Sequence, residues 1–225
     1  VSQWYRSKPI LLLTHLIEDS SENTLQHYLK RMAFIIDLTA SGGIEGENYQ
    51  DININLRLTE QGLENTEQII QIILQWFTFL REKGIEKWRF EEKAQQLALQ
   101  VKHASLSSAI DEAALLSTKL HKLTMRQALE SEVIMDYFDN AIFQQFFAYF
   151  TNENLRVYCI NPKAKCDDVT TQYEVPYSIR TLDVIDVKHD LTSMKLPPQN
   201  PYMSENFGLA AKELQKTQIK TIQSS

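Results

Sequence analysis

Between Asp51 and Ile85 the spacing of apolar positions changes period once. Ile52, Ile54, Leu56 and Leu58 alternate with Asn53, Asn55 and Arg57, the pattern of a strand with one face buried and the other in water. From Thr59 onward the period is helical: Leu63, Thr66, Ile70, Ile73, Phe77 and Leu80 fall three or four residues apart, which places them on one helix face. Thr59 is a fitting cap, with Glu60 and Glu64 near the positive helix end and Arg81 and Lys83 near the negative end before Gly84. A strand feeding a long amphipathic helix must lay that helix back on a sheet, which defines an α+β unit.

The flanking text extends this unit. Ser7 to Asp19 reads as a helix, with Ser7 as cap and Pro9 in the first turn, ended by SSEN. Asn23 is placed to cap a second, short helix carrying Leu25, Tyr28, Leu29 and Met32 on one face. Phe34 to Thr39 is rich in β formers and opens a strand over 34–42; SGGIEGEN then turns the chain into the strand at 51–58, its antiparallel neighbour. After Gly84 the pattern predicts four helices. One carries Trp88, Leu97 and Val101, and the next spans Ile110 to Leu123. A third spans Ala128 to Tyr137, and Asp139 caps the fourth, with Ile142, Phe143, Phe146, Phe147 and Phe150. LRVYCINP (155–162) predicts a strand ended by Pro162. A short helix is expected within Thr181 to Met194, and a frayed end over GLAAKELQKTQIKTIQSS (208–225). The expected fold is an antiparallel-dominated sheet backed by one layer of helices. Three strands are few for so large a helical layer, which suggests that a first strand lies before Val1.

Composition narrows the function. The 225 residues are 43% hydrophobic, enough to build the core of one large domain or two small ones. The net charge of −6, without a run of Lys and Arg, argues against nucleic acid, whose phosphates need a basic face. No apolar run reaches the roughly 18–20 residues of a bilayer-spanning helix. The opening VSQWYRSKP has neither Met nor a signal-peptide pattern, so the chain reads as an excised or processed piece.

Candidate chemistry is sparse. Cys159 and Cys166 read as two unpaired thiols, or as a disulfide in an oxidising compartment; without a neighbouring His they do not make a zinc site. His27, His103, His121 and His189 lie on separate segments. The phenylalanines between 143 and 150 read as core packing or an interdomain contact. His15-Leu-Ile-Glu18-Asp19 comes near an inverted zinc motif, which needs imidazoles at i and i+4 with a Glu at i+3. Asp19 stands where the second imidazole would be, so the segment reads as a coincidence or a decayed echo.

The order of these elements resembles a non-catalytic domain of the pitrilysin and insulin-degrading-enzyme family of zinc metallopeptidases, its bacterial members above all. The segments that carry the resemblance are RSKPILLLTHLIEDSSENTLQHYLKR (6–31), INLRLTEQGLENTEQIIQIILQWFTFLREKGI (54–85), NENLRVYCINPK (152–163), YEVPYSI (173–179) and LPPQNPYMSENF (196–207).

The resemblance implies a second domain, over 1–207, with 208–225 leading to the next. It implies a wall of a closed proteolytic chamber, with no catalytic residue and no metal ligand in this chain. Zinc would belong to a preceding domain. It also implies a substrate site at the strand edge formed by Leu38, Thr39, Ala40, Ser41 and Gly42, where the N-terminal side of a peptide adds as a strand, with the turn at Ser20–Thr24 beside it. Relatives often have a Gly-Pro-Gly-like or Ser-Pro-Gly-like turn there, whereas this chain has SSEN. An ordinary edge strand leading into a turn accounts for the same residues. Implied partners are a peptide or small-protein substrate, the zinc-bearing domain and the C-terminal half of the same parent. Neither nucleic acid nor a membrane is among them. The implied location is periplasmic, otherwise cytoplasmic. An exposed sheet edge and apolar interface also predict self-association of the excised chain. The competing reading is a structural core or scaffold subunit of the processing-peptidase type.

Overall fold

The computed structural model describes residues 4–46, 49–105, 108–182 and 189–203. Helices α1 (Pro9–Glu18) and α2 (Leu25–Arg31) lead into a hairpin of β1 (Ile35–Glu45) and β2 (Gln50–Leu58). The strands pair antiparallel, with Leu38 opposite Leu56 and Ala40 opposite Ile54. Alternation along β2 holds throughout: Ile52, Ile54, Leu56 and Leu58 are partly buried and packed against the core, and the residues between them are exposed. β1 runs further than expected. Gly43–Glu45 belongs to the strand, and Gly46 N donates to Tyr49 O just beyond it.

Two caps differ from expectation. Ser7 does not cap α1; its hydroxyl donates to Tyr137 O at 2.7 Å, and the cap position is Lys8, whose φ is 41°. The cap of α2 is Thr24 rather than Asn23, and its hydroxyl donates to Asp19 O and Ser21 O instead of accepting from the helix. Thr59 behaves as expected and accepts from Gly62 N at 2.9 Å. The helix that follows is broken at Asn65 into α3 (Glu60–Glu64) and α4 (Thr66–Lys83). α3 lies against the backbone of Phe34, the residue before β1. A Cβ on Gly62 would stand 1.9 Å from Phe34 O, so the turn fits only with glycine there. Gly84 ends α4 at φ 69°, with Arg81 and Lys83 in the last turn.

One core joins these elements. Leu12, Leu16, Ile17, Leu25, Leu29 and Leu38 are buried together with Ile69, Ile72 and Trp76 of α4. α8 (Asn140–Phe147) closes it, capped by Asp139, which accepts from Ala141 N at 2.9 Å. Phe143, Phe146 and Phe147 are core residues, and Phe150 stacks on Phe77 with centroids 4.3 Å apart. The mixed helix-and-strand class and the antiparallel hairpin are as expected.

Beyond α5 (Lys87–Lys102) burial thins. α6 (Ala109–Leu120) has no buried residue, and Ile110 is 81% exposed. α7 (Met125–Glu130) ends well short of Tyr137. Residues 131–137 are instead tied to the N-terminal segment: Lys8 Nζ donates to Ser131 O, Arg6 forks onto Asp136, and Asp136 N and Tyr137 N both reach Arg6 O. The strand expected over 155–162 is absent. Residues 155–160 carry no ladder hydrogen bonds, and Tyr158 and Ile160 are 88% and 98% exposed. An alternating apolar segment becomes a strand only when another strand meets it, and none among the described residues does. A two-residue pair, β3 (Asp168–Val169) with β4 (Pro176–Tyr177), is the second small sheet. The helix expected within 181–194 and the end over 208–225 fall largely or wholly outside the described residues.

Candidate functional site: the outer edge of β1

β1 positions the five residues expected to receive a peptide. In an antiparallel ladder, alternate residues direct both backbone groups to the partner strand, and the residues between direct theirs away from it. The register and the side-chain bonds described below assign Asp37, Thr39 and Ser41 to β2, leaving Leu38, Ala40 and Gly42 facing outward. The Leu38 and Ala40 side chains are buried, Thr39 and Ser41 are exposed, and Gly42 lies beside Ile10 of α1. The structure therefore brings Leu38–Gly42 together as one sheet edge.

Two side chains reach this edge from the helices. Glu18 Oε1, at the end of α1, accepts from Ala40 N at 2.8 Å. Gln26 Nε2, on α2, donates to Leu38 O at 3.2 Å and lies 3.3 Å from Asp37 Oδ1. Gln26 is only 4% exposed. Neither role emerges from sequence reasoning: α2 reads LQHYLKR, in which Gln26 is one of several polar positions, and the contact that engages it comes from β1.

The turn at Ser20–Thr24 connects Glu18 to Gln26 and is closed by its own bonds. Asp19 Oδ1 accepts from Ser21 N at 2.8 Å, Asn23 takes φ 68°, and Asn23 N donates to His27 Nδ1 at 3.1 Å. Asn23 O accepts from Lys195 N at 2.8 Å. Next to the turn is a cavity of about 260 Å³ lined by His15, Asp19, Trp88, Glu92 and the proline-rich segment at 197–202. That segment is strapped to α5: Arg89 donates to Pro197 O, and Glu92 Oε2 accepts from Asn200 N at 3.0 Å. Burial, then the charge of Lys93, pushes the His15 imidazole below its ordinary pKa, against the opposing pull of Asp19, Glu92 and Glu18. Burial likewise lowers Lys93, which the Glu18 carboxylate pulls upward.

The near-motif His15–Asp19 does not fit a metal. Glu18 is engaged on Ala40 and Asp19 on Ser21, and among the described residues no three His, Cys, Asp or Glu side chains converge on one point. His189 Nε2 meets Gln71 Oε1 at 3.0 Å, and Cys159 and Cys166 are free and exposed. Among the described residues no helix is long and apolar enough to cross a membrane.

Residues 1–97 match the family model described as the peptidase M16 inactive domain, and residues 102–224, more than half of the chain, match the middle or third domain of peptidase M16. The chain is 28% identical over 215 residues to Protease 3 of Escherichia coli (strain K12), covering 93% of itself and 22% of that protein. It is 23% identical over 220 residues to a nardilysin-like protein of Arabidopsis thaliana, and 33% identical over 92 residues to an insulin-degrading enzyme of Drosophila melanogaster; the latter match covers 41% of this chain. A crystal structure of pitrilysin superposes with a TM-score of 0.78 at 26% identity, over 92% of this chain and 23% of that one. The chain thus spans about a fifth of the curated relatives it matches over most of its length. It belongs to the peptidase M16 family and corresponds to a non-catalytic part of a pitrilysin-like metallopeptidase.

Proposed function

We propose that this chain lines the substrate chamber of a zinc-dependent metalloendopeptidase and holds the N-terminal side of a peptide by strand addition at Leu38–Gly42. The observation that carries this reading is the outward presentation of the Leu38, Ala40 and Gly42 backbone on a β1 edge that β2 does not use. Main-chain hydrogen bonds supply affinity without demanding particular side chains, which suits a site that receives varied peptides. Zinc and the groups that activate water would sit in a preceding domain, against which this chain packs, within a parent that also has a C-terminal half. A periplasmic location belongs to the same reading.

The proposed domain runs over 1–207, with 208–225 leading onward. Supporting one unit across the join of the two family matches, Phe143, Phe147 and Met194 share a core with Leu12 and Leu29. A fluorescently labelled extended peptide should bind the chain, and Ala40→Pro, which deletes the outward N–H, should abolish binding while leaving the far-UV spectrum intact. Supplied with zinc and a quenched fluorogenic peptide, the chain should show no turnover. Turnover that survives repurification overturns the non-catalytic assignment, and peptide binding unaffected by Ala40→Pro overturns the placement.

A further inference from the structure

The two side chains on the β1 edge are complementary in a specific way. Gln26 offers an N–H to Leu38 O, and Glu18 offers an oxygen to Ala40 N. Those two backbone groups flank Thr39. A residue of a parallel strand added opposite Thr39 would present the same pair, its N–H to the first group and its C=O to the second. Antiparallel addition opposite Ala40 uses the same Ala40 N–H. Peptide and side chains therefore compete for the same groups in either direction. Gln26 is buried and held, whereas Glu18 is an exposed residue at a helix end.

We infer that Glu18 is an internal occupant of the peptide edge, a side chain that caps Ala40 N–H when no peptide is bound and must leave when one adds. This rests on the strand-addition reading and adds a threshold to it. A bond to an ionised acceptor is stronger than one to a neutral carbonyl, so a single short contact is insufficient to open the edge. A peptide must gain several hydrogen bonds along β1 to displace the carboxylate. Glu18 thereby selects for length and extended conformation over side-chain identity. The displaced carboxylate retains a cationic neighbour, since it already acts on the Lys93 ammonium.

The test compares the wild-type chain with Glu18→Ala, using a C-terminally dye-labelled octapeptide of alternating valine and threonine and, in parallel, amide exchange at Ala40. Glu18→Ala should lower the peptide Kd about ten-fold, the equivalent of about 1.4 kcal/mol. In the absence of peptide it should accelerate Ala40 amide exchange by a similar factor. Equal Kd values for the two proteins overturn the competition while leaving strand addition intact. Unchanged Ala40 exchange overturns the cap. Absence of binding by either protein overturns strand addition itself, and the selection built on it.

Discussion

The segment from α1 through α4, and α6 taken together with residues 155–177, have similar apolar vocabularies and opposite fates. In the first, Leu12, Leu16, Ile17, Ile69, Ile72 and Trp76 are all but removed from water. In the second, Ile110, Tyr158, Ile160 and Tyr173 stand in it. Periodicity reports that a face could be buried; burial itself requires an opposing surface. The first segment contains both surfaces, hairpin and helices, within about eighty residues. The second presents faces that the described residues do not cover, in a chain that spans about a fifth of its relatives.

The contrast can be broken most severely at Gly62. Gly62→Ala drives a methyl group onto Phe34 O, and urea unfolding should show a loss beyond about 4 kcal/mol, the range reserved for backbone and core disruption. Trp76→Ala should cost about 3–5 kcal/mol by the same measurement. The Trp76 indole N–H is buried without a hydrogen-bond partner among the described residues, so Trp76→Phe loses only packing and should cost less than the alanine variant, about 1–3 kcal/mol. A cost for Trp76→Phe equal to that of the alanine variant would contradict this placement.

His15 sharpens the comparison through pH. Its folded pKa is depressed below 6.5, so over the window beneath that value the unfolded chain binds the extra proton. The contribution is complete above about pH 6.5 and is lost as pH falls through the folded value. Wild-type stability measured in urea should decline over that window more steeply than that of His15→Asn; identical slopes would refute the effect. At the small end, Ile110→Ala on α6 should change stability by no more than about 0.5 kcal/mol. Brief trypsin treatment should cut at Arg156, Lys163 or Lys165 before Lys30 or Arg57, and cleavage in the hairpin first would reverse the ranking.

Legibility followed the range of the interaction. The alternation of Ile52–Leu58, the Thr59 cap and the Gly84 stop were readable because each depends on residues within a turn or two. Ser7 misled because its local capping role was overridden by a distant bond to Tyr137 O, and Asn23 because the cap position falls one residue later, at Thr24. Residues 155–160 misled for the converse reason, since an apolar pattern without a facing strand forms no ladder. The strand that carries Leu38–Gly42 was legible from its β-rich text, whereas the contact of Glu18 with Ala40 N was not. The His15-to-Asp19 spacing drew attention to Glu18 as a would-be metal-site residue, while its hydrogen bond reaches twenty-two positions along the chain.

The sequence by itself determined the hairpin, the caps set by near neighbours, the amphipathic long helix and the net acidic charge, because period and propensity act over a few residues and charge is a matter of composition. Only the tertiary structure decided which side of β1 meets β2, which backbone groups face away, and that a glutamate and a glutamine already hold two of them. Those are matters of register and of contacts between distant segments, and no local pattern encodes them.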